Sequence, residues 1–180
     1  GLTDLSHPCQ ILADIMTIEE WRGPIDGKTI AWLGDGNNVC MSFVHAAEKL
    51  PFTLRIATPP HYAPRRQEIE AAQKAGAQVR VTNDPHAAIA GADVVVTDTW
   101  VSMGDTDKDQ RMKAFPPYAV DEVIMQRAAP DAIFLHCLPA HRGEEVMDAV
   151  MDAPNSAVWD EAENRIHAQK AVMLWCLGKI

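Results

Sequence analysis

The chain has 180 residues, 47% of them apolar and 23% charged, a composition that supports one domain with a sizeable core and disfavours disorder or a disulfide scaffold. Sixteen basic against 25 acidic side chains give a formal net charge of −9, and no Lys/Arg cluster interrupts it, so no nucleic-acid partner is expected and an anionic ligand must be held by a local site. The four cysteines, Cys9, Cys40, Cys137 and Cys176, form no CxxC or zinc spacing; neither disulfides nor a structural metal is expected, and a reducing cytoplasm fits. No membrane span is expected either, because the best apolar runs are cut by Asp93, His136 or Lys170. Gly1-Leu2-Thr3-Asp4 lacks an initiator Met and the pattern of a signal peptide, so the chain is expected to start inside a longer protein.

Helix and strand signals alternate, which predicts an α/β domain: a doubly wound, mostly parallel sheet of about five strands with helices on both faces, Rossmann-like and single-domain. Apolar Ile11, Leu12, Ile15 and Met16 predict a helix over 8–20, stopped by Trp21-Arg22-Gly23-Pro24. A strand follows over 29–33, then a glycine turn, a helix over 39–50, a strand over 52–58 and a helix over 64–75. A strand over 78–82, a short helix capped by Asp84 and a strand over 93–98 complete the first half. Residues 102–117 break the rhythm with a glycine, charges and prolines, and read as a long mobile loop with a task. Helix 118–128, strand 132–138, helix 144–153, an edge strand over 157–160 and a last helix over 163–177 close the chain. That last helix is apolar over more of its circumference than one packing face requires, so part of it should meet a further partner.

Gly34-Asp35-Gly36 between a strand and a helix invites a dinucleotide reading, but Val39 sits where a third glycine belongs and no acid ends the next strand. A tight turn explains both glycines, and Asn37-Asn38 at the helix mouth could bind the amino-acid end of a ligand. Asp98 closes a central strand, at the edge where open α/β sheets bind ligands, with Ser102 and Met103 just behind it. His136-Cys137-Leu138-Pro139 lies at another strand end, where a satisfied core histidine and a buried thiol are the plain readings. His7 precedes a helix start, with Gln10 three residues on. Arg165 stands unusually early in a helix and suits either an anion or a surface ion pair. Met147, Met151, Met173, Trp159 and Trp175 read as core, and His45, His61, His86 and His167 as structural.

HPCQ at His7, GDGNN at Gly34, DTWVSMG at Asp98, HCLPAHRGEEV at His136 and DEAENRIHAQKAVM at Asp160 together resemble the ornithine carbamoyltransferases, in that order and spacing. The resemblance covers essentially the whole chain but only part of such an enzyme: the Ser-x-Arg-Thr-Arg loop of the N-terminal, carbamoyl-phosphate domain has no counterpart here. It implies a connecting helix over 1–23 and an ornithine-binding domain over 24–180. It implies that Asn38, Asp98, Ser102 and Met103 bind L-ornithine, and that His7, Gln10, Cys137, Leu138 and Arg165 meet carbamoyl phosphate. Cys137 would be catalytic, beside the δ-amino group. Aspartate-using relatives carry an HPLP-type segment where His136-Cys137-Leu138-Pro139 stands, and an acceptor amine suits Cys137 and Asp98, both able to become anionic. No cofactor or metal is implied; the partners are the two substrates, the N-terminal domain and further copies, as a trimer. An amino-acid-binding module without chemistry, a transcarbamoylase for a related acceptor, and a nucleotide-dependent oxidoreductase are the alternatives.

Overall fold

Five strands, β1 (Thr29–Leu33), β2 (Thr53–Ala57), β3 (Gln78–Thr82), β4 (Val94–Thr97) and β5 (Ile133–His136), pair in parallel in the order β3-β2-β1-β4-β5. The computed structural model describes residues 2–102 and 106–180, so Met103 lies outside the described residues. Strands buried on both faces need a near-continuous apolar run, and central β1 and β4 and edge strand β5, covered by neighbouring elements, supply it. Their side chains alternate between two cores. Ile30, Trp32, Val94, Val96, Ile133 and Leu135 pack with Ile11 and Ile18 of α1 (Pro8–Arg22), Phe43 and Val44 of α2 (Asn38–Ala47) and Ile69 of α3 (Arg66–Lys74). Ala31, Leu33, Val95 and Phe134 face the other way, onto Ile89 of α4 (Pro85–Ile89) and, once α5 (Lys108–Ala114) has passed, Ile124 of α6 (Glu122–Met125) and Val150 of α7 (Asp148–Met151). The last helix, α8 (Val158–Cys176), lies along α1, and Asn164 donates to Thr17 and Glu20 across that seam at 2.9 and 2.7 Å.

Several expectations are corrected. The described part of 102–117 is not a loose loop: it forms α5 and a 3-10 turn, and Phe115 is fully buried against Trp100, Tyr62 and Tyr118. Arg111 ties that segment to the body, donating to Asp35 at 2.6 Å, the Trp100 carbonyl at 2.9 Å and Asp107 at 2.9 Å. The helices expected over 118–128 and 144–153 shrink to α6 and α7 because Val120 and Val146 form an extended parallel bridge, with Val120 N donating to Glu145 O. The edge strand expected over 157–160 is one bridge, Phe134 to Ser156, after which α8 starts five residues earlier than the sequence suggests. Trp159, Met173 and Trp175 are exposed on α8 rather than in the core, at 60%, 60% and 71%, whereas Met151 is buried.

The Gly34-Asp35-Gly36 turn is now explained by packing. Gly34 has a φ of 132°, and a Cβ on Gly36 would stand 2.3 Å from the Pro64 nitrogen, a backbone atom with no side-chain freedom to yield. Gly36→Ala is therefore expected to lower the unfolding free energy by about 1–3 kcal/mol, as overpacking does. An unchanged urea midpoint would show that the 36–64 approach is not required.

Candidate active site

β1 and β4 are neighbours, yet the chain leaves β1 toward β2 and leaves β4 toward β5, which opens a crevice above their carboxyl ends. Thr97 Oγ1 donates to Leu33 O at 2.6 Å and locks the two strand ends together. Asn37 caps α2: its Oδ1 accepts from the Val39 and Cys40 amides, which leaves Nδ2 to donate to Asp98 Oδ2 at 2.7 Å. Asp98 Oδ1 accepts from the Thr99 amide at 2.7 Å and from the Cys137 thiol at 3.1 Å. One strand-end carboxylate is thus held from three directions.

Burial, and then the charge of Asp98, pushes the Cys137 thiol well above its ordinary range. The expectation that Cys137 becomes anionic is corrected accordingly: it is a neutral donor to Asp98. Next to it, His136 is a satisfied core histidine. The Leu138 amide donates to its Nδ1 at 2.9 Å, so the ring proton sits on Nε2, which donates to buried Glu145 Oε1 at 3.2 Å. That bond supports Leu138 at φ 53°, a left-handed conformation costing about 1–2 kcal/mol for a residue with a side chain. Asp98, His136 and Cys137 bring ligand-type atoms within 4.8 Å of one another, but both ring nitrogens and the thiol already have protein partners.

A second cluster joins the start of α1 to α8. Gln10 is fully buried; its Nε2 donates to Asp14 Oδ1 at 2.8 Å and Glu161 Oε1 at 2.9 Å, and its Oε1 accepts from Arg165 at 2.6 Å. Glu161 Oε2 accepts from the His136 amide at 2.8 Å, which brings this cluster up against the first. His7 donates its backbone N–H to Ser42 Oγ at 2.7 Å, and burial, then the Arg165 charge, holds its imidazole below the usual histidine range. His7 Nδ1 and Arg165 Nε are buried and meet no hydrogen-bond partner among the described residues. The pair offers a neutral ring nitrogen and a cationic N–H to a bound group.

Of the residues singled out in the sequence, Asp98, Cys137 and Leu138 thus stand together, as do His7, Gln10 and Arg165, and the Glu161–His136 bond links the two sets. Asn38 does not join Asp98: its Nδ2 donates to the Thr3 carbonyl at 2.7 Å, and Asn37 takes the place at the carboxylate. Ser102 is exposed at the rim. Sequence reading missed Asp14, Glu145 and Glu161. Asp14 had a signal, an acid four residues after Gln10 on one face of the expected helix over 8–20; Glu161 had none, standing just before the helix expected over 163–177.

Since Asp98 raises the Cys137 thiol, Asp98→Asn is expected to lower it and to speed alkylation of Cys137 at mildly alkaline pH, with exposed Cys176 as the internal reference. Mass-spectrometric rates for the two cysteines check this; an unchanged ratio would break the electrostatic link.

The family model for the aspartate/ornithine carbamoyltransferase Asp/Orn-binding domain matches residues 26–176. The ornithine carbamoyltransferase of Caulobacter vibrioides is 64% identical over 180 residues, all of this chain and 58% of the relative; that of Rhodopseudomonas palustris is 57% identical over the same shares. Among solved structures, the ornithine carbamoyltransferase of Pyrococcus furiosus superposes with a TM-score of 0.93 at 48% identity, over 100% of this chain and 59% of that one. The anabolic enzyme of Campylobacter jejuni also gives 0.93, at 37% identity, over 99% and 61%. The chain therefore spans about 58% of the length of these curated relatives. It belongs to the aspartate/ornithine carbamoyltransferase family, of which it carries the Asp/Orn-binding domain.

Proposed function

We propose that this chain is the acceptor-binding part of an ornithine carbamoyltransferase, which moves a carbamoyl group from carbamoyl phosphate to the δ-amino group of L-ornithine. In that reaction the neutral amine nitrogen attacks the carbonyl carbon, the carbon–oxygen bond to phosphate breaks, the nitrogen gives up one proton that the leaving phosphate can take, and citrulline and hydrogen phosphate leave. The observation that carries the reading is Asp98 at the switch point, held by Asn37, Thr99 and Cys137. A carboxylate there attracts and orients an amine, and the neutral thiol beside it neither repels that amine nor competes for its proton. Ornithine would lie along Asn38, Asp98, Ser102 and Met103. The carbamoyl group would meet His7, Gln10 and the backbone around Cys137 and Leu138, with Arg165 polarising its oxygen or holding the phosphate.

The remaining grip on phosphate comes, by the family resemblance, from a carbamoyl-phosphate domain, in an enzyme that assembles as a homotrimer. A cytoplasmic setting accords with four cysteines that form no disulfide. Among the described residues no helix is long and apolar enough to cross a membrane.

The 180-residue chain alone is expected to form no citrulline. In the full-length enzyme carrying it, Asp98→Asn should cut turnover by about one to two decades, the value of one charged hydrogen bond felt in the transition state, with little change in melting temperature. Unchanged turnover with a collapsed melting temperature would make Asp98 a structural residue and sink the reading.

A further inference from the structure

Asp14 and Glu161 are 1% exposed each, sit on α1 and α8, and meet over the side-chain amide of Gln10. Their surroundings cannot support two charges. The titratable or charged groups around them are Arg165 on α8, His7 before α1, His136 and Cys137 at the end of β5, and Asp98 at the end of β4. Only one of these is a cation, and its guanidinium bonds Gln10 and Gln169 rather than either acid. Asp14 Oδ2 is buried and meets no N–H donor among the described residues, and the group beside that carboxyl is Glu161. Two acids so placed form a hydrogen bond only when one of them carries the hydrogen. Both oxygens of Glu161 accept bonds from N–H groups, Oε1 from Gln10 and Oε2 from the His136 amide, and a carboxylic acid can still donate its hydrogen toward Asp14.

The consequence falls on Gln10. Its two N–H bonds are directed at the two acids, and its oxygen points to the Arg165 side. A flipped amide would set oxygen against two acids and nitrogen against a guanidinium, so all three neighbours select the same orientation. A carbamoyl group presents an NH2 donor and a carbonyl acceptor; Gln10 Oε1 complements the first and Arg165 the second.

We propose that Asp14 and Glu161 hold one proton between them and act as positioning residues, fixing Gln10 with its oxygen toward the carbamoyl amine. This rests on the reading of Gln10 as a carbamoyl contact given above. Burial supports it independently, pushing Asp14 up to about 7 and Glu161 well above the ordinary carboxylate range.

The shared proton is tested on the 180-residue chain by carbonyl-carbon NMR of labelled aspartate and glutamate at about pH 8, above the value of about 7 for Asp14, where ordinary carboxyls are ionised. One protonated carboxyl resonance is expected, lost in Glu161→Gln; two ionised resonances for this pair would overturn the dyad, whatever the enzyme does. Positioning is tested in the full-length enzyme. Glu161→Leu, which keeps the bulk and removes the hydrogen bonds, should lower kcat/KM for carbamoyl phosphate by about tenfold to a hundredfold. The dissociation constant of ornithine measured on the 180-residue chain should stay unchanged. Asp14→Asn, whose Oδ1 still accepts from Gln10 and whose Nδ2 donates to Glu161 in place of the shared hydrogen, should keep kcat/KM within about threefold. Equal losses in both variants, or none in either, would remove the positioning role. An enzyme that makes no citrulline even before mutation would instead refute the proposed reaction and leave the NMR result standing.

Discussion

The site depends on one topological constraint: in a parallel sheet ordered β3-β2-β1-β4-β5, the connections leaving β1 and β4 must part in opposite directions. Everything chemical on this chain sits on or beside that parting. Asn37 is there because α2 needs a cap, and a side chain that accepts the helix's first free amides has its other end turned toward β4. Asp98 is there because β4 ends one residue earlier. The Thr97–Leu33 bond keeps the two strand ends in register, so Asn37 and Asp98 meet at 2.7 Å although 61 residues separate them in sequence.

Around this crevice the chain accumulates groups that would destabilise an ordinary core. Asp14, Glu145 and Glu161 are all buried, and His136 contributes a buried imidazole. Such groups are tolerated because each is hydrogen-bonded, and deleting a partner would leave a buried polar group unsatisfied at a cost of about 1–3 kcal/mol. They also couple elements across the site. Glu161 joins α8 to α1 through Gln10 and to the end of β5 through the His136 amide; Glu145 holds His136 and the His141 amide together, fixing the turn after β5. An apolar replacement would fill the same volume without specifying direction, and direction is what a site needs.

The strands were legible because burial on both faces leaves an unbroken apolar signature, as in Val94-Val95-Val96, and α1 to α4 follow from periodicity, prolines and caps. The second half was harder. Segment 108–115 looked polar because Arg111 is charged, and only the fold reveals that Asp35, 76 residues away in sequence, takes its guanidinium while Tyr62 and Phe115 stack on it. The bridge between Val120 and Val146 shortened two helices for the same reason: a contact at long sequence separation overrode local propensity. At the site, residues that touch the crevice directly could be picked from strand ends and motifs. Those that support them from behind could not, since Asp14 and Glu161 are ordinary helix acids until α1 and α8 are brought together, and Asn37 and Asn38 are equivalent until one of them becomes the cap.

Charge explains why this crevice suits an amine better than a second carboxylate. Of the arginines nearby, Arg111 is engaged by Asp35 and Asp107, and Arg165 lies behind Gln10 on the α8 side. The group at the sheet edge itself is Asp98, backed by a thiol that burial keeps neutral. A dicarboxylate placed against it would set like charges together in a partly dehydrated cleft, where their repulsion is least screened. An amine gains there in either form: protonated, it pairs with Asp98; neutral, it donates a hydrogen bond to the same oxygen and keeps its lone pair for attack. A neutral Cys137 is the condition for this, because a thiolate beside Asp98 would hold an amine as an ammonium and withdraw the lone pair that the proposed transfer would use. The burial that raises the thiol therefore belongs to the same device as the carboxylate proposed to orient the amine.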